Sequence, residues 1–255
     1  MKSLPARMVA EAVGTFFLCF VGGAAICQTA LAIEGIHNVN QPVQENLRTI
    51  AWVAGLLGIA AAHGLALSVG ISSTMNVSGG QLNPAVSVAL SVIKKQCWGD
   101  TIAYIVAQCI GGSIAGFIIA AIYPVAVTAQ FGTPELDHGV TPLMGMVAEM
   151  VGTFMLMFAV MGTAVDPRAP KIGGFGIGLT LGFTILAIGP FSGAALNPAR
   201  EFGTAFPASF IGDTGFFFKN HWVYWAGPIL GAVLAACLYN GFLMPKEETP
   251  AAPSA

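Results

Sequence analysis

"SGGQLNPAVSVA" runs from Ser78 to Ala89, and "SGAALNPAREFG" runs from Ser192 to Gly203. The shared pattern is Ser-Gly-x-x-Leu-Asn-Pro-Ala. Asn is a preferred helix N-cap and Pro is favoured at the first helical position. Asn83-Pro84 and Asn197-Pro198 therefore each predict the start of a short helix, which residues 84–92 and 198–207 can supply. The stretches before them, 78–82 and 192–196, predict non-helical backbone. The carbonyls of Gly79, Gly80, Gln81, Gly193, Ala194 and Ala195 could then line a lumen.

The rest of the chain sets the solvent for these two segments. It has 255 residues, 55% hydrophobic and 9% charged, with 32 glycines and a net charge of -2. A soluble domain carries about 25% charged residues, so this chain could not clothe a globule in polar surface. The charge offers no footprint for nucleic acid. Six apolar stretches, roughly 8–31, 49–72, 101–123, 143–165, 173–190 and 221–243, approach the 20 or so residues a membrane helix needs. The run from Met8 to Leu31 is too long for a cleavable signal and lacks a cleavage site. Polar segments at 32–48, 124–142 and 166–172 read as loops. The segments 73–93 and 191–219 are too short to cross. The expected fold class is an all-α membrane protein with six transmembrane helices and two re-entrant half-helices.

The halves repeat elsewhere. The first span opens "AEAVGTFFL" from Ala10 and the fourth opens "AEMVGTFML" from Ala148. Three spans separate them, so the copies are inverted, an arrangement that suits pores and transporters. The expectation is a channel domain over 1–243, with halves at about 8–123 and 143–243, and a polar, disordered tail at 244–255. Lys2, Arg7, Lys94, Lys95, Arg168, Lys171 and Lys246 would face the cytoplasm against Arg48 and Lys219 outside. Seven against two obeys the positive-inside rule, with both termini inside. Gly112/Gly116, Gly174/Gly178, Gly178/Gly182 and Gly227/Gly231 predict tight helix crossings. Asn76-Val77-Ser78 matches a glycosylation sequon but falls on the inner side. The five cysteines, Cys19, Cys27, Cys97, Cys109 and Cys237, form no paired or metal-binding spacing.

If the two short helices dip in from opposite faces, their N-termini meet near the middle. Each carries roughly half a positive charge and would repel cations. The Asn amides could donate to a passing water.

With its two Asn-Pro-Ala copies the chain resembles the aquaporin (major intrinsic protein) family, over residues 8–243. "SGGQLNPAV", "SGAALNPAR", "AEMVGTF" and "NHWVYWAGP" carry the resemblance. Within the family it is similar to plant tonoplast intrinsic proteins in "ILAIGPFSGAALNPAR" and "NHWVYWAGP", and to prokaryotic aquaporins in "MGTAVDPRAPK". The resemblance implies a homotetramer with one pore per protomer and no cofactor. It assigns the pore motif to Asn83, Pro84, Ala85, Asn197, Pro198 and Ala199. It places an outer selectivity filter on His63, Ile185, Ala194 and Arg200. Read alone, Arg200 could be a snorkelling arginine, His63 a core histidine, and Ile185 and Ala194 plain packing.

The set His/Ile/Ala/Arg implies water plus small neutral solutes such as ammonia, urea or hydrogen peroxide, with protons and ions excluded. Ala194 stands where mercury-sensitive members have Cys. Ala205, Tyr224 and Trp225 look like the water branch rather than the glycerol branch; Glu201 fits neither and could pair with a cation at the outer face. His138 is a candidate fifth filter residue, the alternative being a solvated loop histidine. Glu11 and Glu149 occupy equivalent places, and a bare buried carboxylate is costly. They predict braces for the half-loops; the competing reading is a proton relay in a coupled transporter. A glycerol-type facilitator is the nearer alternative. No nucleophile–base pair, metal cluster or phosphate loop suggests an enzyme. The short termini lean toward a prokaryotic cell membrane.

Overall fold

Leu4–His37 (α1), Gln44–Ser78 (α2), Trp98–Ile122 (α4), Pro142–Val160 (α5), Phe175–Ser192 (α6) and Val223–Leu238 (α8) are the long helices of the computed structural model, which describes residues 2–37, 44–211 and 219–245. Among the described residues, six segments are long and apolar enough to cross a membrane: Leu4–Gly35, Thr49–Ser78, Trp98–Ile122, Pro142–Val165, Phe175–Ser192 and Val223–Leu243. Between them sit Pro84–Val92 (α3) and Pro198–Ile211 (α7). At 1.5 Å per residue these are about 14 and 21 Å long, short of a ~30 Å hydrocarbon core.

Boundaries differ from expectation at several places; α2, for one, runs to Ser78, six residues past the expected end of its span at 72. α1 and α2 run on into the stretch 32–48 expected to be loop. Gly35 lies inside α1 and Pro42 precedes the first residue of α2, so neither stops a helix. The loop 124–142 contains a 3₁₀ turn, Ala126–Gly132. α7 continues four residues past 207, through Pro207. Proline ordinarily ends a helix, but here the helix is clamped against α4. A Cβ on Gly116 would lie 2.2 Å from the Gly203 carbonyl oxygen and 2.8 Å from the Pro207 ring. The tail from residue 246, Lys246 itself and the Arg48 side chain lie outside the described residues.

The outer surface is apolar. Val9, Val13, Phe17 and Val21 on α1, and Ile102, Val106, Ile110 and Ile114 on α4, are exposed at four-residue spacing. Small and polar residues are inside instead. Every glycine pair noted in the sequence sits at a helix crossing. A Cβ on Gly231 would meet the Met150 carbonyl oxygen at 2.0 Å, and one on Gly178 would meet the Gly64 carbonyl oxygen at 2.2 Å. Without apolar burial to drive association in lipid, such backbone approach is what holds helices together.

The packing follows the repeat. α1 packs on α2 and α4 as α5 packs on α6 and α8. The short helices are exchanged: α3 rests on α8 of the other half, and α7 rests on α4. This swap brings Leu82-Asn83 and Leu196-Asn197 together at the centre.

Candidate functional site: a lumen built on two opposed helix starts

Asn83 caps α3 with extended backbone, and its Oδ1 accepts the Ala85 N–H at 2.9 Å. Asn197 Oδ1 accepts the N–H of Ala199 at 2.9 Å and of Arg200 at 3.2 Å. The other end of each amide crosses the centre. Asn83 Nδ2 donates to the Leu196 carbonyl at 2.8 Å, and Asn197 Nδ2 donates to the Leu82 carbonyl at 2.8 Å. Each NH₂ group has two protons. One is spent on the opposite half, so a single N–H per Asn remains for the lumen. Sequence reading had left both amides to the lumen; the reciprocal lock was not visible in it.

The loops before the two caps are folded back by left-handed residues. Gly79, Gly80 and Leu82 have φ of 92°, 59° and 53°; Gly193, Ala194 and Leu196 have 81°, 45° and 52°. A non-glycine residue there costs roughly 1–2 kcal/mol, so something must hold it. Glu11 Oε1 accepts the Ser78 hydroxyl at 2.6 Å and the Gln81 N–H at 3.0 Å. Its Oε2 accepts the Leu82 N–H at 2.6 Å and Gln108 Nε2 at 2.8 Å. Glu149 repeats the pattern with the Ser192 hydroxyl at 2.7 Å, Ala195 N–H at 3.0 Å and Leu196 N–H at 2.7 Å. A second symmetric pair was missed in the sequence. Tyr104 donates its hydroxyl to the Ser78 carbonyl at 2.8 Å, and Tyr224 donates to the Ser192 carbonyl at 2.9 Å. Their equivalent places in α4 and α8 could have been found from the repeat.

A cavity of about 390 Å³ passes both asparagines. That is room for about a dozen waters. One wall is polar: Gly79, Gly80, Gln81, Asn83, Asn197, His63 and Arg200. The other is apolar, including Leu67, Ile71, Val86, Leu156, Val160, Ile177 and Leu181. One end carries Lys95, Gln96 and Val165; the other ends on His63 and Arg200. Beyond them a second cavity of about 220 Å³ is lined by Ile59, Ile185, Gly193, Thr133 and Glu135 among others.

Two buried side chains meet at that end of the larger cavity. His63 Nε2 lies 2.9 Å from Arg200 Nη2, and His63 Nδ1 lies 2.9 Å from the Ile59 carbonyl. A carbonyl only accepts and a guanidinium only donates, so the tautomer with its proton on Nδ1 satisfies both. Arg200 Nη1 is buried with no hydrogen-bond partner among the described residues. The His63 ring fits only because residue 22 is glycine, where a Cβ would stand 2.3 Å from Nε2.

The structure thus brings His63 and Arg200 together and sets Ile185 on the outer side. Ala194 is buried and lines neither cavity. Of the six candidate carbonyl residues, Gly79, Gly80, Gln81 and Ala195 line the larger cavity, and Gly193 the outer one. His138 is exposed and lines neither. It sits in a turn closed by the Val140 N–H on the Asp137 carbonyl, while Thr133, Pro134 and Glu135 reach the outer cavity in its stead. Glu201 is buried, and His221 Nδ1 lies 2.7 Å from its Oε2. The five cysteines form no disulfide, and no metal-binding cluster occurs among the described residues.

The profile of the Major intrinsic protein family matches residues 2–239. Aquaporin AqpM of Methanothermobacter thermautotrophicus is 38% identical, over 94% of this chain and 98% of that protein. Aquaporin TIP4-4 of Zea mays is also 38% identical, over 95% of this chain and 91% of its own length. The fold is shared with the aquaglyceroporin of Plasmodium falciparum at a TM-score of 0.74 and 22% identity, over 94% and 97% of the two chains. A helical membrane fold with two exchanged half-helices, matched along nearly its whole length, leaves one assignment: the chain is an integral, multi-pass membrane protein of the major intrinsic protein family.

Proposed function

We propose that the protein is a passive channel for water and for small neutral solutes such as ammonia, urea or hydrogen peroxide, and that it excludes protons and ions. The observation that carries the reading is the half-polar, half-apolar cavity running past Asn83 and Asn197 to the His63–Arg200 contact. Water moving along the polar wall keeps replacement hydrogen bonds, while the apolar wall offers none to hold it. The N-termini of α3 and α7 both open on this cavity, and their partial positive charges oppose a cation at the midpoint. Arg200 adds a full charge at the narrow end. Nothing in this arrangement calls for a catalytic group or cofactor.

Selectivity rests on His63, Arg200 and Ile185; Ala194, the fourth position the family resemblance implies, lines neither cavity and is left out of this reading. Ile185 lends an apolar side to the outer entrance, which suits a wider solute range than water alone. Glu11 and Glu149 act as braces: each carboxylate accepts one serine hydroxyl and two backbone N–H groups from its own half-loop. Residues 1–243 work as one channel domain, assembled as a homotetramer with both termini cytoplasmic, in a prokaryotic cell membrane.

Swelling of proteoliposomes in urea, ammonia and glycerol gradients tests the solute range. The reading expects urea entry faster than glycerol entry. Glycerol faster than urea would assign the chain to glycerol-type facilitators instead.

A further inference from the structure

We propose that Lys95 is a specificity-determining residue of the inner mouth: it supplies a cation barrier of its own, at the end of the pore opposite Arg200. The inference rests on the neutral-solute reading and deepens it, since it names the group that turns small cations away on the inner side.

The charges that line the lumen are of one sign. Among the described residues around the larger cavity, Lys95 and Arg200 carry the only formal charges, and no carboxylate joins them. They stand apart along it. Arg200 meets His63 at the outer end, while Lys95 lies with Gln96 and Val165 at the other.

The inverted repeat does not supply this second cation. Arg200 comes three residues after Asn197; three residues after Asn83 comes Val86, an apolar wall residue of the same cavity. The first half-helix therefore has no charge in its opening turn. Its cation comes past the other end, where the chain leaves α3. There Ile93 is the C-cap and Lys94 is left-handed at φ 60°. The Lys94 N–H donates to the Ser91 carbonyl at 3.0 Å, and the Lys95 N–H donates to the Leu90 carbonyl at 2.8 Å. These are the two bonds of a Schellman closure. They fix the backbone at Lys95, so its ammonium swings from a set point at the rim. Lys95 is exposed there, within reach of whatever enters.

The last turn of a helix carries roughly half a negative charge. The end of α3, with Leu90, stands at this mouth and by itself would draw cations in. Lys95 adds a full positive charge at that spot and reverses the sign. Nine residues of helix put the ammonium about 14 Å from the midpoint where the two helix starts meet. At an effective dielectric constant of about 20, a unit charge at that range lowers the occupancy of a cation about fivefold. A neutral solute feels no such penalty. The two cations thus act in series, one on each side of the asparagines.

The test is the guanidinium-to-urea permeability ratio in proteoliposomes, read by tracer uptake. The two solutes share a planar shape and differ in charge. Arg200→Met first lowers the outer barrier so that guanidinium entry can be read. Adding Lys95→Met raises the ratio about fivefold in low salt and less in high salt, where the charge is screened. Adding Lys95→Arg leaves it where it was. Adding Lys94→Met, which removes the same charge from a residue that does not line the cavity, moves it less. An equal ratio with and without Lys95→Met overturns the inference and leaves the channel reading intact. An equal rise in Lys94→Met overturns it too, as a general effect of surface charge. If Arg200→Met does not fold, Lys95→Glu in the otherwise unchanged channel decides: a raised ratio supports the barrier, an unchanged one overturns it. Wild-type guanidinium entry as fast as urea entry removes ion exclusion altogether, and the barrier with it. Wild-type urea flux no faster than protein-free vesicles removes the solute range alone; guanidinium entry is then judged against water flux by the same comparisons.

Discussion

Glycine 22 shows how a single missing side chain can set a pore. The His63 ring occupies the space its Cβ would take, 2.3 Å away from Nε2. In Gly22→Ala the ring must move toward the lumen and away from Arg200. Overpacking of this kind costs about 1–3 kcal/mol. The expected outcome is a folded protein with reduced water permeability by osmotic shrinkage; unchanged flux would show that the His63–Arg200 contact does not set the constriction. Glu149 is a sharper case. Replacing it by Leu strands the Ala195 and Leu196 N–H groups, which then cost about 1–3 kcal/mol each, and Gln restores only an acceptor on one side. Thermal unfolding in detergent should therefore rank wild type above Glu149→Gln above Glu149→Leu. Equal stabilities would contradict the bracing role. Much of this was legible: the two Asn-Pro starts, Arg200, and the matched glutamates all stand out in the sequence. Gly22 did not, because a glycine on one helix says nothing about a histidine on another until the two are packed. For Glu201 the sequence suggested a cation at the outer face without naming one; the group beside it is His221, 20 residues on.

At the scale of elements, glycines carry the crossings and a polar clasp closes one end. Gly231 lies against the Met150 backbone and a Cβ there would meet its carbonyl oxygen at 2.0 Å. Gly231→Val should push α8 off α5 and lose folded protein in size-exclusion chromatography, whereas the same change at Gly241, which has open space, should be tolerated. The clasp joins the loop after α5 to the end of α8. Asp166 pairs with Arg168 at 2.6 Å, Arg168 Nη2 donates to the Leu243 carbonyl at 2.7 Å, and Tyr239 donates its hydroxyl to Asp166 at 3.1 Å. The Arg168 guanidinium holds the Asp166 carboxyl well below the usual carboxylate range. A depressed carboxyl contributes stability above its unfolded pKa of about 3.9 and loses it as the pH falls through the lower folded value. Hydrogen exchange in 166–172 should thus be flat from pH 8 to 5, after correction for intrinsic rates, and rise only in strong acid. Opening between pH 7 and 5 would mean the clasp depends on another group. Helix existence and the paired half-helices could be read from apolar runs and Asn-Pro. The length of α7 could not, since Pro207 reads as a stop until Gly116 and Gly203 are seen to hold it.

For the whole molecule, the repeat is what turns these parts into a conduit. Each half supplies a loop, a brace, a tyrosine and a helix start, and each short helix packs on the other half. Neither half closes the lumen alone, because Asn83 bonds to Leu196 and Asn197 to Leu82. The inversion was legible from "AEAVGTFFL" and "AEMVGTFML"; the exchange of half-helices was not, since it depends on tertiary packing. The bracing follows the symmetry in its backbone part, two N–H groups to each glutamate, and departs from it only in Gln108, which donates to Glu11 alone. The most direct measurement is stopped-flow shrinkage of proteoliposomes under an osmotic step, with a pH-sensitive dye trapped inside and a proton gradient imposed. The account predicts water efflux far faster than from protein-free vesicles, with a low activation energy and no added proton entry. Proton uptake that rises with the protein and follows solute movement would contradict it.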